Sequence, residues 1–279
     1  MALIAIWQGP FPEYFDLFLA SCATNPDFTW LILGDQAAPA GAPENVRFVP
    51  LSIAALNQQI HDTLGVETRI TRAYKACDLR PMYGLLFADL LRGFTHWGHC
   101  DLDIIWGQLG QFLTVDLFGC YPRLQENGHL SIYRNDTELN RLFMSDVPGV
   151  PHWTTVLGHP DHSFYFDEWP GINRILAHHD VPRAPLVPVA DVLAPVAQYR
   201  LYGRPNHRLQ ALFWHDGRVC REFVDESTGR IGRDEFAYVH LQKRRLPPPP
   251  FARIPEFGYW ITPQGFVPRL SSEADRATI

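Results

Sequence analysis

Residues 97–107 read Trp97-Gly98-His99-Cys100-Asp101-Leu102-Asp103-Ile104-Ile105-Trp106-Gly107, two carboxylates one residue apart inside an apolar and aromatic run. An ionised carboxylate taken out of water has to pair, protonate or bind a metal, and two side by side also repel each other. A divalent cation answers both demands. Two solvated turn aspartates capping the next helix are the plain alternative, which the aromatic flanks disfavour.

Outward from this stretch, the preceding third of the chain alternates strand and helix patterns. Apolar runs at residues 3–7, 29–33 and 46–51 read as strands. Residues 13–22 have helical spacing, residues 53–64 a helix capped by Ser52, and residues 81–91 a helix ended by Gly93. Alternation of this kind argues for a parallel sheet with helices on its faces, where ligands gather at the carboxyl ends of strands. A strand over residues 94–100 delivers Asp101 and Asp103 to such an end.

After the first strand the chain reads Gln8-Gly9-Pro10-Phe11-Pro12. The Gly-x-Gly-x-x-Gly of dinucleotide folds is missing, as is any Gly-x-x-x-x-Gly-Lys-Ser/Thr loop. Bound phosphate would therefore be held by a metal and basic side chains.

The chain has 279 residues, 46% hydrophobic and 13% aromatic, enough for one large domain or two small ones. A net charge of −6 argues against nucleic acid as a partner. Five cysteines without a Cys-x-x-Cys pair suggest neither a disulfide framework nor a zinc ribbon. The histidines at 152, 159, 162, 178 and 179 likewise lack zinc spacing. No apolar stretch approaches the roughly 20 residues that cross a bilayer, and the start carries no basic leader, so a cytoplasmic protein is expected. Of 24 basic residues only two are lysines, Lys75 and Lys243. Either these sites need a compact ammonium, or two lysines have survived by chance in an arginine-biased chain.

Two longer motifs carry a resemblance. Lys75-Ala76-Cys77-Asp78-Leu79-Arg80-Pro81-Met82-Tyr83-Gly84 is followed by Phe94-x-x-Trp97-Gly98-x-Cys100-Asp101-x-Asp103-x-Ile105-Trp106-Gly107. Together with residues 128–135, Phe166-Asp167-Glu168-Trp169-x-Gly171-Ile172, residues 213–217 and residues 238–244, the chain resembles a little-characterised bacterial family of GT-A-type proteins associated with surface polysaccharide synthesis. The resemblance covers roughly residues 2–245. It implies an α/β GT-A (nucleotide-diphospho-sugar transferase) fold, a Rossmann-like mixed sheet flanked by helices, and sugar transfer from a nucleoside-diphosphate sugar to a glycan acceptor.

The resemblance also implies roles. Asp103 would bind the metal directly, with Asp101 reaching it or the ribose, and His240 would be a third ligand. Oxygen donors and a diphosphate suit Mn²⁺ or Mg²⁺. Lys243 would neutralise the leaving diphosphate, while Lys75, Asp78 and Arg80 would meet the nucleotide and Trp7 or Tyr83 would stack on the base. A salt-bridged helix start and core aromatics are the competing readings of those five residues, and a hydrogen-bonded core histidine that of His240. Asp167 and Glu168 are the acid–base candidates: one carboxylate, its pKa raised by an apolar wall, would take the acceptor's proton, and since neighbouring residues point differently only one of them faces the acceptor, Asp167 before Glu168. His129, Tyr133, Arg134 and Asn135 would line the acceptor side or form a surface hairpin.

Residues 1–245 are expected as the catalytic domain. Leu246-Pro247-Pro248-Pro249-Pro250 reads as a stiff spacer, and residues 246–279 as an extension whose aromatics, Phe257, Tyr259, Trp260 and Phe266, pack back on the domain or meet a partner. Peripheral contact of the protein with the membrane or with biosynthetic partners is also expected. The rivals to a transferase are a metal-dependent nucleotidyltransferase and a carbohydrate- or nucleotide-binding protein on a degenerate transferase fold. A glycoside hydrolase fits poorly, since carboxylates at i and i+2 are badly placed to flank a sugar.

Overall fold

The computed structural model describes residues 1–193, 198–242 and 244–270. In chain order its strands are β1 (Ala2–Trp7), β2 (Thr29–Gly34), β3 (Val46–Pro50), β4 (His96–Cys100), β5 (Ile104–Trp106), β6 (Arg123–Asn127), β7 (Leu130–Arg134), β8 (Ala190–Asp191), β9 (Gln210–His215), β10 (Arg218–Val224), β11 (Ile231–Phe236), β12 (Tyr238–His240), β13 (Tyr259–Thr262) and β14 (Gly265–Pro268). The chain divides into two compact units. The first takes Met1–Pro10, Asp27–Asp101 and Thr114–Leu186. The second takes Phe11–Pro26, Leu102–Leu113 and the described residues from Val187 onward. Asp101 therefore closes a segment of the first unit and Leu102 opens one of the second.

The first unit is built on a six-stranded sheet in the order β3-β2-β1-β4-β7-β6. The pairings β2–β3, β1–β2 and β1–β4 are parallel, whereas β7 is antiparallel to both β4 and β6. Ala2–Ala5 and Trp30–Leu33 are buried residue after residue, the run expected of parallel strands covered on both faces. Helix Ile53–Leu64 turns Leu56 and Ile60 into the core shared with Ile4 and Leu31. Its ends match the expectation. Ser52 Oγ accepts a hydrogen bond from Ala55 N (3.1 Å), and Gly65 ends the helix in the left-handed conformation. Gly98 lets β4 lie close to β7, because a Cβ there would run into the Ser131 carbonyl. The fold class is the expected one, a Rossmann-like mixed α/β sheet with flanking helices.

One helix differs from expectation. Residues 73–82 wind as a 3₁₀ helix, continued by a short α-helix Tyr83–Leu86, instead of one helix over 81–91. Pro81 brings no N–H to an α-helical ladder, and Lys75, Asp78 and Arg80 in this segment are each tied to other parts of the unit.

The second unit has a five-stranded antiparallel sheet, β11-β10-β9-β13-β14, and a three-stranded one, β5-β12-β8. Helix Phe15–Ala23 anchors the segment after the Asp-x-Asp motif. Ser21 Oγ accepts from Trp106 N (3.0 Å), and Asn25, just past the helix, donates to the Gly107 carbonyl (2.8 Å) and accepts from Leu109 N (2.7 Å). The aromatic end packs back. Tyr259, Ile261 and Phe266 are buried, and β13 and β14 join the sheet beside β9. All five cysteines are free thiols.

Candidate functional site

Asp103, His240 and Asp191 meet in the second unit. β12 is flanked by β5 on one side and β8 on the other, so His240 lies across from Ile104 and from Asp191. Asp103 directly precedes β5, and its carbonyl accepts from Leu241 N (2.8 Å). His240 Nδ1 stands 2.8 Å from Asp191 Oδ1, and its Nε2 stands 3.5 Å from Asp103 Oδ1. Asp103 and His240 are both buried.

A ring with a carboxylate on each nitrogen has two stable states. It is an imidazolium, or it donates Nδ1–H to Asp191 and points the Nε2 lone pair at Asp103, which calls for a proton on Asp103 or a cation between the two acceptors. The second state is a metal-binding arrangement, with Asp191 fixing the tautomer of the ligating ring. A separation of 3.5 Å is also close to the roughly 3 Å between neighbouring ligands of a small octahedral cation. The pair offers one carboxylate oxygen and one imidazole nitrogen, donors that a divalent transition-metal ion such as Mn²⁺ accepts together and that suit Mg²⁺ less well.

A second cluster lies in the first unit around Arg80. Its guanidinium donates to Asp167 Oδ2 (2.8 Å), to the Asp101 carboxylate and to the Gly128 carbonyl. Asp101 is further held by its own N–H on the His129 carbonyl (3.1 Å). Asp167 is buried, and burial pushes its carboxyl up to about 7 against the pull of Arg80, with Glu168 and Asp101 adding to the rise. Glu168 is exposed, with its carboxylate against Gly128. His99 in β4, fully buried, is kept neutral chiefly by burial, with Arg80 and His129 acting in the same direction.

Lys75 and Asp78 form a buried ion pair (2.8 Å). Lys75 Nζ also donates to the His162 carbonyl (2.7 Å) and lies over the Phe164 ring. Asp78 accepts from the N–H groups of Phe164 and Phe166. Both side chains are thus engaged in holding the segment that leads into Asp167 and Glu168.

Tyr83 is a core aromatic, its hydroxyl on the Ala76 carbonyl (3.1 Å) and its ring edge-on to Phe87. Trp7, at the end of β1, is half-buried and donates to the Pro10 carbonyl (3.1 Å). Tyr133 is buried against Trp97, and Asn135 donates to the carbonyls of Leu91 and Phe94. Arg134 is half-buried and His129 buried. Lys243 lies outside the described residues.

Asp191 was not singled out from sequence. Its signal is the one that marks Asp101 and Asp103, a lone carboxylate inside an apolar run, here Val187-Pro188-Val189-Ala190-Asp191-Val192.

The topology and the carboxylate–histidine pair define an α/β protein with a candidate cation site. The chain belongs to a family of unknown function (DUF6625), matched over residues 3–270. No curated protein matches it. Among solved structures it is similar to the galactosyltransferase LgtC in complex with donor and acceptor sugar analogues, at 12% identity and a TM-score of 0.32. That likeness covers 51% of this chain and spans 62% of the length of the galactosyltransferase. Among the described residues no helix is long and apolar enough to cross a membrane.

Proposed function

We propose that the protein is a metal-dependent glycosyltransferase of hexosyltransferase type, moving a sugar from a nucleoside-diphosphate donor, a UDP-sugar before others, to a hydroxyl of a glycan acceptor. The observation that carries this reading is the Asp191–His240–Asp103 line, in which a buried imidazole nitrogen faces a buried carboxylate. Asp103 and His240 would hold Mn²⁺ or Mg²⁺, with Asp101, two residues back along the chain, as the further ligand that the motif implies. The ion, when bound, would neutralise charge growing on the diphosphate as the glycosidic bond breaks.

The remaining residues divide the work. Trp7 and Arg80 stay as proposed nucleotide contacts, and Lys243 as the ammonium beside the leaving group. Lys75 and Asp78 serve the site through the segment they hold. Acid–base work falls to Asp167 or Glu168, of which Glu168 is exposed beside Gly128. The reading places the protein in the cytoplasm, in surface polysaccharide synthesis, with peripheral contact to the membrane or to biosynthetic partners.

Calorimetric titration with UDP, with and without Mn²⁺, on wild type and Asp103→Asn tests it, followed by other nucleoside diphosphates. Binding that needs both the metal and Asp103 is expected. Metal-independent binding, or none across the panel, would overturn the reading and favour a binding protein on a degenerate transferase fold.

A further inference from the structure

The segment from His162 to Asn173 is fixed at several points of its backbone, although its middle reaches the surface. Asp78, fully buried, accepts from the N–H groups of Phe164 (3.0 Å) and Phe166 (3.0 Å), and Lys75 Nζ donates to the His162 carbonyl (2.7 Å). Four backbone bonds tighten it further: Glu168 N to Tyr165 O (3.0 Å), Gly171 N and Asn173 N to Glu168 O (3.1 and 3.3 Å) and Ile172 N to Phe166 O (2.8 Å). Phe166 and Asp167 are turned inward, while Tyr165, Glu168 and Trp169 are left outside.

Two features of that outer set stand out. Tyr165 has φ +51°, a left-handed conformation that costs an aromatic residue about 1–3 kcal/mol. Its ring nevertheless ends 52% exposed. Of the eight tryptophans Trp169 alone is exposed, at 62%. Strain held by a buried carboxylate to display an aromatic ring is expected at a binding site.

We infer that Tyr165, Glu168 and Trp169 form a binding surface for a neutral sugar ring, and that this is the acceptor side of the proposed transfer. A pyranose presents C–H faces about the size of one aromatic ring and a rim of hydroxyls. Tyr165 and Trp169 match the faces, and the Glu168 carboxylate matches the hydroxyls as an acceptor of their protons. Nucleic acid is disfavoured by the exposed Glu168 carboxylate beside Trp169 in the chain and by a net charge of −6. A protein partner would call for a broader apolar plate, whereas exposed Asp161, His162 and Glu168 break up the apolar area here. Phe166 and Asp167 inward and Glu168 outward also separate the two adjacent carboxylates. Glu168 touches the acceptor, and Asp167 acts through Arg80 as a positioning residue.

The acceptor role rests on the transferase reading; the sugar-binding role does not. The test is a printed array of neutral and charged glycans, probed with wild type, Tyr165→Ala, Trp169→Ala and Glu168→Gln, with Mn²⁺-dependent UDP binding and sedimentation velocity measured on the same samples. Wild type is expected to bind neutral glycans, and either aromatic variant to lose at least tenfold while UDP binding holds. Sugar binding lost in the variants of a protein that never binds UDP would sustain the surface and remove the transferase. No neutral glycan bound by wild type, equal binding by the variants, or a change in oligomeric state as the only effect would overturn the inference.

Discussion

His240 Nδ1 and Asp191 Oδ1 lie 2.8 Å apart across the parallel pair β12–β8, so a carboxylate remote in sequence orients the ring whose other nitrogen faces Asp103. Outer-shell partners of this kind govern metal affinity without touching the ion. Asp191→Asn is expected to weaken Mn²⁺ binding about 10–100-fold, read by electron paramagnetic resonance of free Mn²⁺, with the thermal midpoint near wild type. An unchanged affinity would remove Asp191 from the site.

Asp167 makes a prediction in pH. Its folded carboxyl titrates at about 7, raised first by burial, whereas the unfolded chain releases that proton near 4. Between those values the folded state holds a proton that the unfolded state has lost. This contribution to stability is full below about pH 4 and is lost as pH rises through 7, at up to about 1.4 kcal/mol per pH unit. Urea unfolding of wild type and Asp167→Asn should therefore diverge from pH 4 to 7, with wild type losing ground. Parallel profiles would show that the group titrates alike in both states.

The helix Ile53–Leu64 offers a simpler check. Ser52→Ala removes the acceptor for Ala55 N and should lower stability by about 1 kcal/mol in denaturant unfolding, with an unchanged m-value. A loss under a few tenths would mean that water caps the helix as well as Ser52 does.

Local signals were legible in the sequence wherever they were self-contained. Ser52 and Gly65 bracket their helix by side-chain and backbone chemistry alone, and the apolar runs of β1 and β2 announce strands covered on both faces. That Asp103 and His240 meet was implied by the family resemblance; in the sequence itself each shows only as a polar residue interrupting an apolar run. Asp191 was passed over because its value comes from β8 lying beside β12, a pairing that spans 49 residues of chain. The same holds for the partners of Lys75 and Asp78: His162, Phe164 and Phe166 are more than 80 positions away, and no local spacing encodes that meeting. Tyr165, too, reads as one aromatic among three until the backbone turns it outward.

That long-range meeting can be tested by its asymmetry. Asp78→Ala strands the Lys75 ammonium in the interior beside the His162 carbonyl and the Phe164 ring, and leaves the N–H groups of Phe164 and Phe166 without the acceptor they have in Asp78. A loss of about 3–5 kcal/mol is expected. Lys75→Met instead leaves a carboxylate that still accepts two backbone N–H groups, and should cost clearly less. Amide exchange separates this from general loosening: protection at Phe164 and Phe166 should fall in Asp78→Ala before that of β1 and β2. Equal losses in the two variants, with exchange rising everywhere together, would mean that the pair serves the core at large and does not set the 162–168 segment in place.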